Sequence, residues 1–347
     1  MRFYTGTHKY YCGIDLHART MYLCILDKEG NKVVHRNANS NPEELLAALY
    51  PYREDIVVAA ECMFTWYWVA DTLEDVGIPF VLGHALYMKA IHGGKVKNDR
   101  VDAHKIAVLL RGGMLPMAYV YPRKMRATRD LLRRRTHIVN KKSELLNHIQ
   151  GTNAQYNLPD IGTNITYPRN REGLAERFED ASVRKSIETD LALADAYDVL
   201  RKDLEKHVLR AAQGHDANAL ARLRSIPGVG EILGLTILYE ICDIRRFERV
   251  QDFASYCRLV KPAKESAGKL YGHSGKKIGN AHLKWAFSEV AVMFPRHSAR
   301  GMKLYQRLKK KHGKGKSLTV LAHKLARAMY FMLRREQVFD LDRFVAC

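Results

Sequence analysis

What this chain lacks narrows it first. Its six cysteines (Cys12, Cys24, Cys62, Cys242, Cys257 and Cys347) include no C-x-x-C pair. That argues against a zinc site or a disulfide framework and makes a reducing cytoplasm the expected setting. No run approaches the roughly 18 apolar residues that a membrane helix needs. The start, Met1-Arg2-Phe3-Tyr4-Thr5-Gly6, has no apolar core of a signal peptide, so no membrane partner is expected. No G-x-x-x-x-G-K-[S/T] loop is present, which argues against ATP as an energy source. Acidic residues are scarce in one long block: residues 261–335 hold 2 of them against 19 Lys and Arg.

That scarcity explains the net charge of +20. Residues 1–122 carry 13 basic and 13 acidic residues and residues 157–260 carry 15 and 17, while residues 123–156 carry 9 and 2. Charge concentrated in two blocks repels itself unless a polyanion neutralises it, so nucleic acid is the expected partner. Lys264, Lys269, Lys276, Lys277, Lys309, Lys310 and Lys311 are the expected phosphate contacts. The basic segments lack the aromatic and aliphatic face of a membrane-surface helix.

The apolar pattern divides the chain into three parts. In residues 1–122, strand signals at 10–15, 21–26 and 32–35 precede a helix starting at Pro42, with Asn41 as its cap. A buried-type strand at 56–61, a helix within 63–76, a strand at 78–82 and a helix from Asp99 to Leu110 follow. That is the element order of a ribonuclease-H-like α/β domain. Residues 123–213 carry a basic helix with roughly heptad spacing and then a second long helical stretch over 172–213. They read as a coiled coil or as an ordinary two-helix unit. Residues 214–347 are mostly helical: 231–241, 247–259, 281–294 and 317–335. The glycine-rich stretch 261–280 reads as a mobile loop and 309–316 as a basic loop.

Asp15 closes its strand as Gly-Ile-Asp, and Glu61 ends another as Ala-Ala-Glu. A carboxylate after a buried apolar run is costly unless it is paired or binds a cation. Asp99 and Asp102, spaced i, i+3, project from one face of a helix start. Four hard oxygen ligands on two strands and a helix suit Mg2+ or Mn2+ in phosphoryl transfer. Each acid also has a structural reading: Asp99 as an N-cap, Asp102 as a first-turn acid favoured by the helix dipole. In Ile226-Pro227-Gly228-Val229-Gly230, Gly228 and Gly230 let backbone N–H groups approach a phosphate, as in helix-hairpin-helix modules, or else form a plain turn. Ser266 lies among lysines on a glycine-flanked loop and could attack a phosphodiester. By local sequence alone Tyr271 and Ser274 are equal candidates.

Taken together, Tyr11-Cys12-Gly13-Ile14-Asp15, Val58-Ala59-Ala60-Glu61, Lys97-Asn98-Asp99-Arg100-Val101-Asp102-Ala103, Ile226-Pro227-Gly228-Val229-Gly230 and Glu265-Ser266-Ala267-Gly268 resemble the insertion-sequence family 110 transposases and the related Piv-type invertases, in order and spacing over nearly the whole chain. The resemblance implies a RuvC-like domain over residues 1–122 with Asp15, Glu61, Asp99 and Asp102 as metal ligands. A helical linker over 123–213 and a helical transposase domain over 214–347 would follow. It implies Ser266 as a nucleophile linked transiently to DNA, donor and target DNA as substrates, an element-encoded guide RNA, and a homo-oligomer, dimer or tetramer, in a bacterial or archaeal cytoplasm. Two departures stand out: Cys62-Met63-Phe64 where the family often has a small residue and Thr-Gly after the glutamate, and Ala267 between the serine and its glycine. The function expected is RNA-guided DNA cleavage and rejoining. The alternatives are a metal-dependent junction endonuclease in which water attacks, and a non-enzymatic nucleic-acid-binding protein.

Overall fold

Apolar runs bounded by turns become strands and amphipathic runs become helices in the computed structural model, which describes residues 2–91, 98–212, 217–260, 263–273 and 278–346. The chain divides into two units between Lys124 and Met125.

The first unit is mixed α/β. It holds β1 (Tyr10–Leu16), β2 (Thr20–Asp27), β3 (Lys32–Asn39), α1 (Pro42–Leu49), β4 (Ile56–Glu61), α2 (Trp66–Asp75), β5 (Phe80–Gly83), α3 (Ala85–Ile91) and α4 (Asp99–Arg111). The sheet order is β3-β2-β1-β4-β5. The first three strands are antiparallel neighbours, and β4 runs parallel to both β1 and β5. Alternation explains the two cores. Cys12, Ile14, Leu16, Ile56, Val58 and Ala60 join Leu45, Leu49, Val69 and Leu73 of α1 and α2 on one face. Tyr11, Val57 and Ala59 meet Ile106, Leu109 and Leu110 of α4 on the other. Asn41 caps α1 as expected, accepting from the Glu44 amide at 2.8 Å.

The second unit is helical. α5 (Arg123–Gln155), most of which lies in it, and α6 (Ala181–Ala211) are the two long helices. The helical stretch expected from 172 starts only at Ala181, where Asp180 caps it by accepting from the Ser182 and Val183 amides. The segment before it wedges Ile165, Leu174, Ala175 and Phe178 between Leu146 and Ile149 of α5 and Ile187 and Ala194 of α6. Ion pairs cross the same seam: Arg135–Glu205 at 2.7 Å and Lys142–Asp198 at 2.7 Å. Arg171 joins Asp198 at 3.0 Å.

α7 (Ala217–Arg224), α8 (Glu231–Ile241), α9 (Val250–Tyr256), a hairpin of β6 (Ala263–Ser266) and β7 (Lys269–His273), α10 (Ala281–Arg296), α11 (Ala299–His312), α12 (Lys314–Arg335) and α13 (Leu341–Ala346) follow. Ile237, Phe253, Phe287, Phe294, Leu325 and Met329 lie at the centre of their core. Two expectations are corrected here. Residues 263–273 form a β-hairpin rather than an irregular loop, because Ala267 (φ 49°) and Gly268 (φ 73°) both take the left-handed conformation of a two-residue hairpin turn. Lys309, Lys310 and Lys311 are helical rather than looped. Lysine is a good helix former and is favoured in a last turn by the dipole, so α11 runs on until Gly313 (φ 75°). Among the described residues no helix is long and apolar enough to cross a membrane.

Candidate active site

In the first unit the register of β1 and β4 sets Ile14 opposite Ala60. Asp15 and Glu61, the next residues, therefore stand together at the C-terminal edge of two parallel strands. Alternation puts Asp15 on the face of Tyr11 and Gly13, and Glu61 on the face of Val57 and Ala59. That is the face α4 covers. Gly13 permits the approach: a Cβ there would lie 2.3 Å from the Ala103 carbonyl oxygen and 2.4 Å from the Ala107 nitrogen. With α4 held this close, its first turn brings Asp99 and Asp102 to the same strand ends.

The helix start is made by Asn98, whose side chain accepts from the Arg100 amide at 2.9 Å. Asn98 thus relieves Asp99 of the capping role that was its structural alternative. His17 Nε2 lies 3.5 Å from Asp15 Oδ2 and 3.6 Å from Asp99 Oδ1. One ligand atom from each of Asp15, His17 and Asp99 falls within 4.8 Å of the others. Lys105, one turn along α4, reaches Asp102 at 3.1 Å. The Asp15 carboxyl is pushed above the usual aspartate range. Burial is the largest cause; the charges of Asp99, Asp102 and Glu61 add to it, and His17 opposes it. Three acids thus act on Asp15, but among the described residues the group whose ligand atoms meet within 4.8 Å holds Asp15, His17 and Asp99 and not Glu61 or Asp102. Sequence reading missed His17, although the alternation in Asp15-Leu16-His17 was a signal for it.

In the second unit, Ser266 pairs with Lys269 across the hairpin turn, and both are exposed, as is Tyr271. Lys264 lies on β6; Ser274, Lys276 and Lys277 lie outside the described residues. The roots of the hairpin are tied together. The Asn280 amide donates to the Tyr256 carbonyl at 2.6 Å. Arg258 Nε donates to the Ile278 and Gly279 carbonyls at 3.0 and 2.9 Å. Asn280 caps α10 and donates from Nδ2 to Glu240 Oε2 at 2.7 Å. Glu240, on α8, is buried and ion-paired with Arg129 at 3.1 Å and Arg133 at 2.6 Å, both from α5. Burial alone would raise its pKa, but hydrogen bonds and charge from the two arginines and Asn280 outweigh that and hold the carboxyl at about 2. This network was not foreseen from sequence.

Gly228 takes φ 87°, and a Cβ there would come within 2.8 Å of the Met293 carbonyl carbon, so packing against α10 accounts for the glycine. Gly230 starts α8 with open space where a Cβ would be. Lys309, Lys310 and Lys311 are exposed on α11. Lys310 and Lys311 line an open groove of about 620 Å³ with Met302, Lys303, Gln306 and Arg307.

Comparison with known proteins agrees with both halves. A transposase family model of the DEDD type found in IS110 elements matches residues 12–157, and the model described as the IS116/IS110/IS902 transposase family matches residues 220–306. The transposase for insertion sequence element IS1111A of Coxiella burnetii is 24% identical over 342 residues, covering 94% of this chain and 90% of that protein. A Sinorhizobium fredii protein named as transposase y4qE is 29% identical over 203 residues, 57% of this chain and 48% of its own. A Pseudomonas aeruginosa protein named as a family 20 transposase is 23% identical over 303 residues, 82% and 85% of the two chains. The chain belongs to the IS110 family of insertion-sequence transposases, enzymes that cut and rejoin DNA.

Proposed function

We propose that the chain is an RNA-guided DNA recombinase that moves its own element, with Asp15, Glu61, Asp99 and Asp102 as its metal-binding set and Ser266 as its nucleophile. The observation that carries the reading is the meeting of Asp15, Asp99 and His17 at the end of β1, one ligand atom of each within 4.8 Å of the others; Glu61, at the end of β4, and Asp102, in the first turn of α4, add their charge at Asp15. The strand order β3-β2-β1-β4-β5 supports a RuvC-like domain over residues 1–122. A helical linker over 123–213 and a transposase domain over 214–347 complete the proposed organisation.

The donor set fits the ion. Carboxylate oxygens are hard ligands suited to Mg2+ or Mn2+, and a neighbouring imidazole is compatible with Mn2+. When bound, such ions supply positive charge to the attacked phosphate and the leaving oxygen. The protein's own part is then to orient and to exchange bonds. Ser266 Oγ bonds to phosphorus as the phosphorus–oxygen bond to one strand end breaks, and that end leaves as a hydroxyl carrying the serine proton. A hydroxyl from the second DNA reverses the exchange, so the number of phosphate ester bonds is constant and ATP has no part. Lys269, beside Ser266 in the hairpin pairing, is placed to offset charge on the phosphate. Donor and target DNA are selected by pairing with the element-encoded RNA, and the basic helices hold the backbones. The active form is a dimer or tetramer.

Ser266→Ala tests the nucleophile. Incubated with DNA carrying the element's ends, the variant should form no protein–DNA adduct on a denaturing gel and no exchanged strands. Recombination by Ser266→Ala would remove serine from the mechanism, whereas cleavage by the wild type with neither adduct nor exchanged strands would favour a metal-dependent junction endonuclease in which water attacks.

A further inference from the structure

At the edge that carries the carboxylates, one side chain is out of keeping with water. Phe64, three residues after Glu61, is 81% exposed, and Met63 beside it is 39% exposed. Trp66, two residues on, is buried at the start of α2. The same short connection thus buries one aromatic and leaves the other in solvent, forgoing the hydrophobic stabilisation that burial brings.

The segment is not loosely held. The Cys62 amide donates to the Gly83 carbonyl at 2.9 Å and the Met63 amide to the Glu61 carbonyl at 2.8 Å. Thr65 Oγ1 donates to the carbonyl of Leu16, the residue after Asp15, at 3.5 Å. Phe64 therefore sits between anchors on β5, β4 and β1, and two of those strands carry Asp15 and Glu61.

We infer that Phe64 is a stacking platform for a nucleobase of the DNA strand next to the phosphate being cut. This rests on the reading that the four carboxylates act on DNA. Three observations favour a base over another occupant. Phe64 lies beside the proposed phosphate position, and every DNA phosphate has a base one sugar away. Residues 1–122 are charge-neutral, so this unit has no basic excess to grip the backbone and needs an uncharged contact. Stacking is also tolerant of base identity, which suits an enzyme whose sequence choice is left to an RNA. Here Phe64 binds and orients the strand; it takes no part in bond exchange.

The test uses the full chain, purified with its co-purifying RNA, and DNA fragments carrying the element's ends. Phe64→Ala should slow cleavage about 5-fold to about 150-fold, the range that loss of one stacked base brings, and Phe64→Trp should restore it. An abasic site scanned across the cleavage position should slow the wild type by a similar factor at one nucleotide. On that substrate Phe64→Ala should add no further loss. The inference is overturned if Phe64→Ala cuts at the wild-type rate, or if its loss multiplies with the abasic loss at every position. A change of oligomeric state on sedimentation of Phe64→Ala would overturn it too, by placing the ring against a second copy. Asp15→Ala is run in parallel. If Asp15→Ala still cuts, the carboxylate reading falls and the inference with it; if Asp15→Ala does not cut while Phe64→Ala cuts at the wild-type rate, the inference alone falls.

Discussion

The two units handle charge in opposite ways. Residues 1–122 are neutral overall, yet Asp15 stands at a strand end where the charges of Asp99, Asp102 and Glu61 raise the energy of its anion. In the second unit the excess is positive and spread over exposed helix surface, while buried Glu240 is matched by two arginines and an asparagine. Charge that is crowded without full compensation marks a place for a cation and for chemistry. Exposed charge of one sign marks binding to a polyanion, and buried charge that is fully paired marks architecture. Substitutions in the three settings should therefore fail in three different ways.

The largest effect belongs to the first setting. Asp15→Ala should lower DNA cleavage on the order of a thousandfold while leaving nucleic-acid affinity within about twofold, measured by gel cleavage and filter binding on one preparation. Equal loss of both would erase the contrast between the units. Cleavage that continues without any divalent ion would remove the metal from the reading.

In the second unit, Glu240→Ala removes an ion-pair partner of buried Arg129 and should destabilise the protein by about 3–5 kcal/mol in denaturant unfolding. Its pH dependence carries a sign. The Glu240 carboxyl is held at about 2 against an ordinary 4.5, so its stabilisation, about 3 kcal/mol, is complete above the unfolded value. It disappears as pH falls from about 4.5 through about 2. Wild type should therefore lose its advantage over Glu240→Ala across that interval. An advantage that stayed constant with pH would mean the network works by packing rather than by charge.

Gly13 sharpens the comparison from the other side, since it lets α4 lie against β1. Gly13→Ala should cost about 1–3 kcal/mol of stability through overpacking. It should also raise the divalent-ion concentration needed for half-maximal cleavage, because Asp99 and Asp102 ride on the displaced helix. Lost stability with an unchanged ion requirement would show that the four acids are not held by that contact.

How far the sequence revealed this depends on which force shapes each element. Ile56–Glu61 and Glu231–Ile241 were legible to the residue, because a solid apolar run ending in an acid, and a glycine turn leading into one, have few alternatives. The placement of Asp15, Glu61, Asp99 and Asp102 followed from the same signals. The Ser266 hairpin was not legible. Residues 265–271 are all exposed, so no alternation of buried and exposed positions marks its strands, and its turn has Ala267 in a left-handed conformation. Lys309–Lys311 looked like a loop because charge hid a strong helix former. His17, Glu240 and Phe64 gain meaning only from neighbours distant in sequence. The glycine of Gly228 is explained by Met293, 65 residues away.

The smallest effects lie on the basic surface. Lys310 and Lys311 line the α11 groove with Lys303 and Arg307, and no acid stands among those lining residues to neutralise them. If they contact phosphates, each releases a counterion on binding, so log affinity falls with log salt by about 0.7–0.9 per contact. Lys310→Gln should therefore weaken nucleic-acid binding only modestly at physiological salt. It should lower the steepness of the salt dependence by close to one contact, and Lys310→Gln with Lys311→Gln by close to two. The turnover of DNA already bound should not change, which is the reverse of the outcome expected at Asp15. A salt slope that stays fixed when both lysines are removed would place the polyanion elsewhere on the molecule, and the exposed positive charge of α11 would then serve only solubility.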